Sequence, residues 1–443
     1  MTLLVVSPDY ASHLYPLATL ATAWRDAGER VVVATGPATD GIVRGFGYER
    51  APLRLGRGSN PGVIRAEDQP AGEDDALRGF FAATRDGAVA TLAFQARARR
   101  EDLLWNPVGV AQDVLAVVER VRPDHVVVDH LAFGARLALV AAGIRHADVV
   151  LGHPSALTVG EEVYGLPPAF PAAVQPGADE LAELRALCVE VRDAFTAQWN
   201  DALHQLDPGA APSPDAFAET GDVLLLNYPG ELHDAARTAL LPPHAFLGSA
   251  VRGEPTDPEV EAWLARDDRP VVYVSLGSFL SVRGDVLAAV AEALRPLDVR
   301  VAVASGSTPA AALGPVPDSW LVRPVLPQVT LLGRSVLAVS HGGNNSVTEA
   351  LTASVPLLLL PLSTDQFAGA QALDQAGFGE ALDPNALSPL EIRGAAQRLM
   401  ALPPATRRRL DALGASLVGD PGAARARTAL LGHRTTDAGH PGG

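Results

Sequence analysis

The sequence predicts an α/β protein made of two doubly wound domains, each with a parallel sheet packed between helices. Short uncharged apolar runs, which suit buried strands, alternate along the chain with longer segments of helical periodicity. The chain has 443 residues, too many for one typical domain. The alternation starts again at residues 271–275, after a linker that follows residue 247. We therefore place a first domain at residues 1–248 and a second at residues 249–433.

The first domain begins with a buried strand at residues 3–6. We expect a loop at residues 7–15 and a helix after it, because Pro16 suits the first turn of a helix. Further buried strands are predicted, with helical segments between them, at residues 31–34, 125–128, 149–151 and 223–227. The Gly-rich fingerprint of a dinucleotide site is missing from the first turn, so this half is not a standard dinucleotide-binding domain.

The second domain contains a turn suited to binding an anion. A predicted buried strand at residues 336–339 leads to His341-Gly342-Gly343, and a helix follows with Ser346 in its first turn. Such a turn directs backbone N–H groups and the positive end of the helix dipole at one point. The sequence therefore predicts an anion site at the start of this helix.

A second polar pair follows the next predicted strand, residues 357–360. Asp365-Gln366 comes after this strand and so lies on the same carboxyl edge of the sheet, where α/β proteins bind their ligands. The rest of the chain is predicted to be helical at residues 389–400, 405–418 and 422–432. The last residues, 434–443, are predicted to be a disordered tail.

A candidate acid–base pair lies in the first domain. His13 follows the first strand, and Asp129 ends a later one, so in a parallel sheet both would face one cleft. An aspartate beside a histidine fixes its tautomer and stabilises the imidazolium, which makes the histidine a usable general base. The alternative is a surface histidine and an aspartate that caps the helix starting near Leu131.

Composition excludes several classes of function. The net charge of −16 argues against nucleic acid or an anionic membrane as the main partner. The chain has no lysine, so a P-loop lysine and a pyridoxal Schiff base are both excluded. A single cysteine, Cys188, allows no internal disulfide. The start of the chain lacks the features of a signal peptide, and no stretch suits a membrane span, so we expect a cytoplasmic protein.

An ordered set of motifs in the second domain carries a resemblance to a known family. The set comprises Pro327-Gln328, His341-Gly342-Gly343, Asn345-Ser346, Glu349 and Asp365-Gln366. It resembles the nucleotide-sugar signature of the UDP-glycosyltransferase-like family (glycosyltransferase family 1), in its bacterial natural-product type. Residues 12–17 and 274–278 also fit this family. The resemblance implies the GT-B fold, in which two Rossmann-like domains face a cleft, the first binding an acceptor and the second a nucleotide-sugar donor.

The resemblance also implies a role for each matching residue. His13 would deprotonate the acceptor, with Asp129 as its partner. In the second domain, Glu349 would accept hydrogen bonds from the ribose hydroxyls. The other donor contacts would be Val325 and Gln328 at the base, Ser278, His341, Gly342, Gly343, Asn345 and Ser346 at the diphosphate, and Asp365 and Gln366 at the sugar hydroxyls.

The implied activity is that of an inverting glycosyltransferase, which moves a sugar from a nucleoside diphosphate to a hydroxyl of a small, largely apolar acceptor such as a natural-product aglycone. The sequence contains no Asp-x-Asp and no His/Cys cluster with metal spacing, so we expect no metal and no cofactor besides the sugar donor. The segments 56–75 and 159–176, rich in Gly or Pro, are expected to shape the acceptor cleft. We expect a monomer or a homodimer.

The sequence departs from the plant members of the family, which have Trp where Val325 and Asn344 stand, and Ser354 replaces a usual Gly. UDP-sugars and dTDP-deoxysugars therefore both stay open as donors. One alternative is a nucleotide-sugar epimerase or hydrolase of the same fold, against which the pairing of His13 with Asp129 argues. The other is a non-catalytic helper or binding protein, which would be expected to have lost His13 or Asp365-Gln366.

Overall fold

The predicted α/β fold with two doubly wound domains is confirmed. A computed structural model describes residues 1–62, 73–102 and 104–437. Within these residues the chain builds two sheets in succession, and every pair of neighbouring strands in each sheet is parallel. The central strands are almost wholly buried because helices cover both faces, which is why they appear in the sequence as apolar runs, whereas the edge strands at residues 49–52, 244–246 and 321–323 are partly exposed.

The first sheet has the strand order β3-β2-β1-β4-β5-β6-β7. Its strands are Thr2–Val6 (β1), Arg30–Thr35 (β2), Glu49–Pro52 (β3), His125–Asp129 (β4), Ala147–Val150 (β5), Val223–Leu226 (β6) and His244–Phe246 (β7). The helices around it are Ala11–Leu20 (α1), Thr22–Arg25 (α2), Asp40–Gly45 (α3), Glu73–Ala83 (α4), Ala88–Asp102 (α5), Pro107–Val121 (α6), Phe133–Ala141 (α7), Ala178–Leu206 (α8) and Ala235–Thr238 (α9).

The second sheet has the strand order β10-β9-β8-β11-β12-β13. Its strands are Val271–Ser275 (β8), Arg300–Ala304 (β9), Leu321–Arg323 (β10), Ser335–Ser340 (β11), Leu357–Leu359 (β12) and Gly379–Ala381 (β13). The helices that follow the linker are Pro258–Leu264 (α10), Gly277–Leu280 (α11), Gly284–Leu294 (α12), Gln328–Leu332 (α13), Asn344–Thr352 (α14), Gln366–Ala376 (α15), Pro389–Met400 (α16), Pro404–Gly419 (α17) and Gly422–Asp437 (α18).

Each sheet has one point where the strand order reverses, between β1 and β4 in the first and between β8 and β11 in the second. In open α/β sheets, ligands bind outside the carboxyl ends of the strands at such a point. Asp129 ends β4, and His341 follows directly on β11. The topology therefore places the candidate residues of both domains at their switch points.

The predicted loop at residues 7–15 is wrong beyond residue 10, because helix α1 already begins at Ala11. His13 thus lies on a helix, and Pro16 lies inside that helix instead of in its first turn. A proline has no N–H to donate to the carbonyl four residues earlier, here that of Ser12. This carbonyl accepts a hydrogen bond from Nδ2 of Asn345 at 2.8 Å instead, which compensates for the lost helical bond.

The last helix, α18, packs on the first domain. Ala426 and Leu430 lie in the same apolar cluster as Leu17 of α1, and Arg427 forms an ion pair with Glu29 at 2.8 Å. The helix extends to residue 437, so residues 434–437 are helical and the prediction of a tail from residue 434 is wrong there. The rest of that predicted tail lies outside the described residues, as does the middle of the predicted loop at residues 56–75, namely residues 63–72, while helix α4 already begins at residue 73.

Candidate active site

The structure brings His13 and Asp129 together at the edge of the first sheet. Nδ1 of His13 lies 2.7 Å from Oδ2 of Asp129, while Oδ1 of Asp129 accepts the backbone N–H of Leu131 at 2.9 Å. The Asp129 side chain is fully buried, whereas that of His13 is 23% exposed. A carboxylate oxygen can only accept, so Nδ1 carries the proton, and Nε2 keeps a lone pair for a substrate hydroxyl.

Burial disfavours the charged forms of His13 and Asp129, but the contact between the two side chains favours these charged forms more strongly. Burial lowers the pKa of His13, and the charge and hydrogen bond of Asp129 raise that pKa to above its ordinary 6.5. Burial also raises the pKa of Asp129, whereas His13, His130 and the N–H of Leu131 together lower it below 3.8. Asp129 is therefore ionised at neutral pH, and His13 is a stronger base than a free histidine.

The predicted anion site has the expected backbone geometry. Gly342 has φ +83°, and Gly343 is the N-cap of α14 with an extended backbone. No side chain in the described part of the chain caps this helix. The first N–H groups of α14 have no helical partner, so they and the helix dipole favour an anion at this end.

The imidazole of His341 lies between two glycines at this site. A Cβ atom on Gly277 would meet Cε1 of the ring at 2.7 Å, and a Cβ on Gly343 would collide with the ring as well. Gly277 also has φ +72°, a conformation that other residues rarely adopt. Burial lowers the pKa of His341 to about 4. At neutral pH the ring is therefore uncharged, and one of its nitrogens carries a hydrogen. Its Nδ1 is buried without a hydrogen-bond partner among the described residues, so the ring can offer an N–H to a ligand.

On the next turn of α14, Glu349 contacts Gln328 of α13. Nε2 of Gln328 donates to Oε2 of Glu349 at 2.5 Å, and Oε1 of Gln328 accepts the Tyr273 hydroxyl at 3.3 Å. The second oxygen of Glu349 accepts Nη1 of Arg252 at 2.8 Å. Burial raises the pKa of Glu349, although Arg252 and Gln328 work against this. Arg252 could not be found by sequence reasoning, because its partner is 97 residues further along the chain.

Asp365 and Gln366 are placed differently from each other. Oδ2 of Asp365 accepts the backbone N–H of His153 across the cleft. The amide of Gln366 is buried in its own loop, where Oε1 accepts the N–H groups of Leu362 and Ser363 at 3.0 and 3.2 Å, and Nε2 donates to Oγ of Ser363 at 3.1 Å. Buried amides need such partners. In this structure Gln366 therefore shapes the loop that carries Asp365, and its contact with sugar hydroxyls stays a prediction.

The remaining predicted donor residues lie around α14. Ser278 belongs to the short helix α11, and its side chain lies outside what the structure describes. Val325 follows β10 and is 63% exposed, so it offers an apolar surface and backbone to a ligand. Oγ of Ser346 lies 3.3 Å from Nε2 of Gln328. Of the predicted donor contacts, Asn345, Ser346 and Glu349 lie on α14 itself, within two turns.

Two neighbouring asparagines join this helix to the first domain. Nδ2 of Asn344 donates to the carbonyls of Leu151 and Asn227 at 3.0 and 2.7 Å. Both carbonyls lie just beyond the carboxyl ends of β5 and β6. Asn345 donates to the carbonyl of Ser12, the residue before His13, at 2.8 Å. These contacts set the start of α14 directly against the acid–base pair.

The described residues contain neither a cluster of metal-binding side chains nor a helix suited to span a membrane. No group of three or more His, Cys, Asp or Glu side chains is arranged as a metal site would require. None of the helices in residues 1–62, 73–102 and 104–437 combines the length and the apolar character needed to cross a membrane.

Comparisons with known proteins agree with the motifs. The family model described as UDP-glucoronosyl and UDP-glucosyl transferase matches residues 235–403. Demethyllactenocin mycarosyltransferase of Streptomyces fradiae is 30% identical over 293 residues, which is 63% of this chain and 57% of that protein. The matches to the first curated relatives span only 33% to 57% of the relatives' own length.

Solved structures extend the likeness to the whole chain. The glycotransferase of kitacinnamycin superposes with a TM-score of 0.67 at 21% identity and covers 98% of both chains. The glycosyltransferase VinC in complex with dTDP has a TM-score of 0.66 at 20% identity and covers 99% of this chain and 100% of its own. The relatives of this chain by sequence and by fold are thus glycosyltransferases. The predicted resemblance is confirmed: the chain is similar to the UDP-glycosyltransferase-like family, with the UDP-glucoronosyl and UDP-glucosyl transferase match at residues 235–403, and it has the GT-B fold.

Proposed function

We propose that this protein is an inverting glycosyltransferase that moves a sugar from a nucleoside diphosphate to a hydroxyl of a small, largely apolar acceptor. The observation that carries the proposal is the contact between the candidate base in the first domain and the anion site in the second. Asn345, at the start of the anion-binding helix α14, donates to the carbonyl of Ser12, next to the candidate base His13. Because the general base and the leaving-group site lie on residues joined by this hydrogen bond, one bound substrate can reach both, which suits a single direct transfer.

The reaction is a single displacement. The acceptor oxygen attacks the anomeric carbon while the bond from that carbon to the diphosphate oxygen breaks, and the diphosphate leaves with the bonding electrons. The acceptor proton passes to Nε2 of His13, and the ionised Asp129 stabilises the imidazolium that forms. Attack and departure occur on opposite faces of the sugar, so the anomeric centre is inverted.

The leaving diphosphate is stabilised without a metal ion. The free N–H groups at the start of α14, including those after Gly342, point at the site where its charge develops, and His341 adds a ring N–H. Val325 and Gln328 hold the base of the nucleotide, Glu349 the pentose, and Asp365 the sugar. Gln366 supports Asp365 through their shared loop.

An apolar acceptor fits the surroundings of this site. Phe367, directly after Gln366, packs in one apolar cluster with Leu92 of α5 and Cys188 of α8. A cavity of about 700 Å³ lies beside this cluster, between α5 and α8, and its lining is mixed, with apolar Val89 and Leu187 but also charged Arg97, Glu183 and Glu190. The name of the Streptomyces fradiae relative, demethyllactenocin mycarosyltransferase, also describes transfer of a sugar to a natural product.

The test is transfer by the purified protein. It is incubated with UDP- and dTDP-sugars and a panel of hydroxylated apolar acceptors, with and without EDTA, and products are detected by mass spectrometry. We expect a glycosylated acceptor with inverted anomeric configuration by NMR, formed equally well with EDTA. Release of free sugar or conversion of the donor without acceptor would instead identify a hydrolase or an epimerase.

A further inference from the structure

Arg283, between helices α11 and α12 of the second domain, is a buried arginine that reaches the first domain. Its side chain is only 2% exposed, and it forms an ion pair with Asp285 at 2.7 Å. Its Nη1 donates to the carbonyl of Thr84, in the turn between α4 and α5 of the first domain, at 2.8 Å. Its Nη2 donates to Oδ1 of Asn385, between β13 and α16, at 3.0 Å. One guanidinium therefore joins a turn of each domain.

The contact with the first domain suits the end of helix α4. This helix ends at Ala83, so its last carbonyls have no helical partner, and the negative end of the helix dipole lies there. A guanidinium supplies both N–H donors and positive charge at this end. Phe80, on the last turn of α4, packs against the apolar cluster of the second domain that includes Leu280 and Val286. The end of α4 is thus docked on the second domain by a charged hydrogen bond and by apolar contact.

The residues that Arg283 holds continue into the lining of the cavity of about 700 Å³ between α5 and α8. On the first domain this lining includes Asp86, which follows closely after Thr84. On the second domain it includes Asp383, whose Oδ1 accepts the backbone N–H of Asn385 at 2.9 Å. Arg283 itself does not line the cavity, so it acts on the cavity through the residues that it holds.

We propose that Arg283 is a positioning residue for the acceptor. It holds the turn between α4 and α5 against the second domain and so keeps together the two sides of the cavity, which carry Asp86 and Asp383. If this turn had to dock each time an acceptor bound, the affinity for the acceptor would fall in proportion to the docked fraction. This inference rests on the proposed function, because it assigns the cavity to the acceptor.

The first measurement is the kinetics of transfer to the acceptor that gives the most product in the panel above. Arg283→Gln removes the ion pair and the charged hydrogen bond to Thr84, and it is expected to raise the acceptor KM about tenfold while kcat at saturating acceptor stays close to the wild-type value. Phe80→Ala should also raise this KM, since it removes the apolar contact of α4 with the second domain. Arg300→Gln is the matched control and should keep the wild-type KM, because Arg300 is also buried but donates to a carbonyl of its own domain, that of Trp263, at 2.7 Å.

Hydrogen–deuterium exchange measures the docking itself and needs no substrate. In Arg283→Gln the backbone amides of residues 75–90 are expected to exchange about 10- to 100-fold faster than in the wild-type protein, the effect of losing a hydrogen bond to a charged group. The amides of α6, at residues 107–121, should exchange at the wild-type rate. Arg300→Gln should leave both segments unchanged.

Each outcome decides one claim. Equal exchange of residues 75–90 in Arg283→Gln and the wild-type protein would show that Arg283 does not hold the turn. An unchanged acceptor KM, or an equal rise of KM in Arg300→Gln, would remove the positioning role of Arg283 while the proposed function stands. Absence of transfer by the wild-type protein contradicts the proposed function, and the exchange measurement then decides on the docking alone. Should Arg283→Gln fail to fold, Phe80→Ala decides in both measurements.

Discussion

At the scale of single residues, the acid–base pair makes the sharpest prediction. General base catalysis contributes roughly 10²–10⁴ in rate, so His13→Ala is expected to lose about that much in kcat while donor affinity persists. Asp129→Asn should lose less, because the imidazole remains. It should also move the acid limb of the pH–kcat profile to lower pH, since the charge that raises the pKa of His13 is gone and burial still lowers it. Near wild-type kcat in His13→Ala would remove His13 from the mechanism.

His341 allows a second test at this scale. A hydrogen bond to a charged group is worth about 1.5–3 kcal/mol, so His341→Ala is expected to weaken binding of the preferred nucleoside diphosphate about 10- to 100-fold. His204→Ala, on the exposed side of α8, is the matched control and should leave affinity unchanged. Calorimetry measures both variants. Equal affinity of His341→Ala and the wild-type protein would exclude a phosphate contact of this ring.

At the scale of secondary-structure elements, the C-terminal end of α14 carries a measurable strain. Ser354, just after this helix, has φ +57°, and here the residue differs from the glycine usual in the resembling family. A non-glycine residue in this conformation costs about 1–2 kcal/mol, so Ser354→Gly should raise the free energy of unfolding by about 1 kcal/mol. Ser354→Ala keeps the Cβ atom and should bring no such gain. Urea denaturation distinguishes the two variants, and equal stability of both would contradict the strain.

The same elements show how much of the fold and of the candidate site can be predicted from the sequence alone. Buried strands and the Gly342-Gly343 turn are local patterns, so the fold and the anion site could be predicted. The placement of His13 and Asp129 on one edge followed from parallel topology. The start of α1 could not be predicted, because Pro16 is tolerated there only through a carbonyl bond from Asn345 in the other domain. The contacts of Arg252 and Gln366 depend on the side-chain conformations in the folded protein, which local sequence patterns do not predict.

At the scale of the whole molecule, buried histidines make stability sensitive to acid. Burial lowers the pKa of His153 to about 3 and those of His233 and His341 to about 4. The unfolded chain binds protons at these positions below about pH 6.5 and the folded protein does not, so their contribution is present above pH 6.5 and is lost as the pH falls. His13, with its raised pKa, acts in the opposite direction, being stabilising below pH 6.5, but it is one histidine against four, since burial also lowers the pKa of His130.

His153 offers the test of this balance. Its contribution to the slope of unfolding free energy against pH is about 1.4 kcal/mol per unit between roughly pH 6 and pH 4. His153→Phe is expected to flatten the measured slope by about that amount, whereas His204→Phe on the exposed side of α8 should not change it. Denaturation at pH 7, 6 and 5 gives the slope. A slope that stays the same in His153→Phe would show that this ring is not a source of acid sensitivity.

The shorter bonds from α14 to the first domain end on main-chain atoms, and one longer bond, from Nδ2 of Asn227 to Oδ1 of Asn345 at 3.4 Å, joins two side chains. Asn344 and Asn345 donate to the carbonyls of Leu151, Asn227 and Ser12, which exist whatever side chains those positions carry. The first domain can therefore change its side chains, and with them its choice of acceptor, while these bonds to the donor-binding helix persist. A chimera that joins this second domain to the first domain of a relative keeps these main-chain acceptors, provided that the strand ends stay in place.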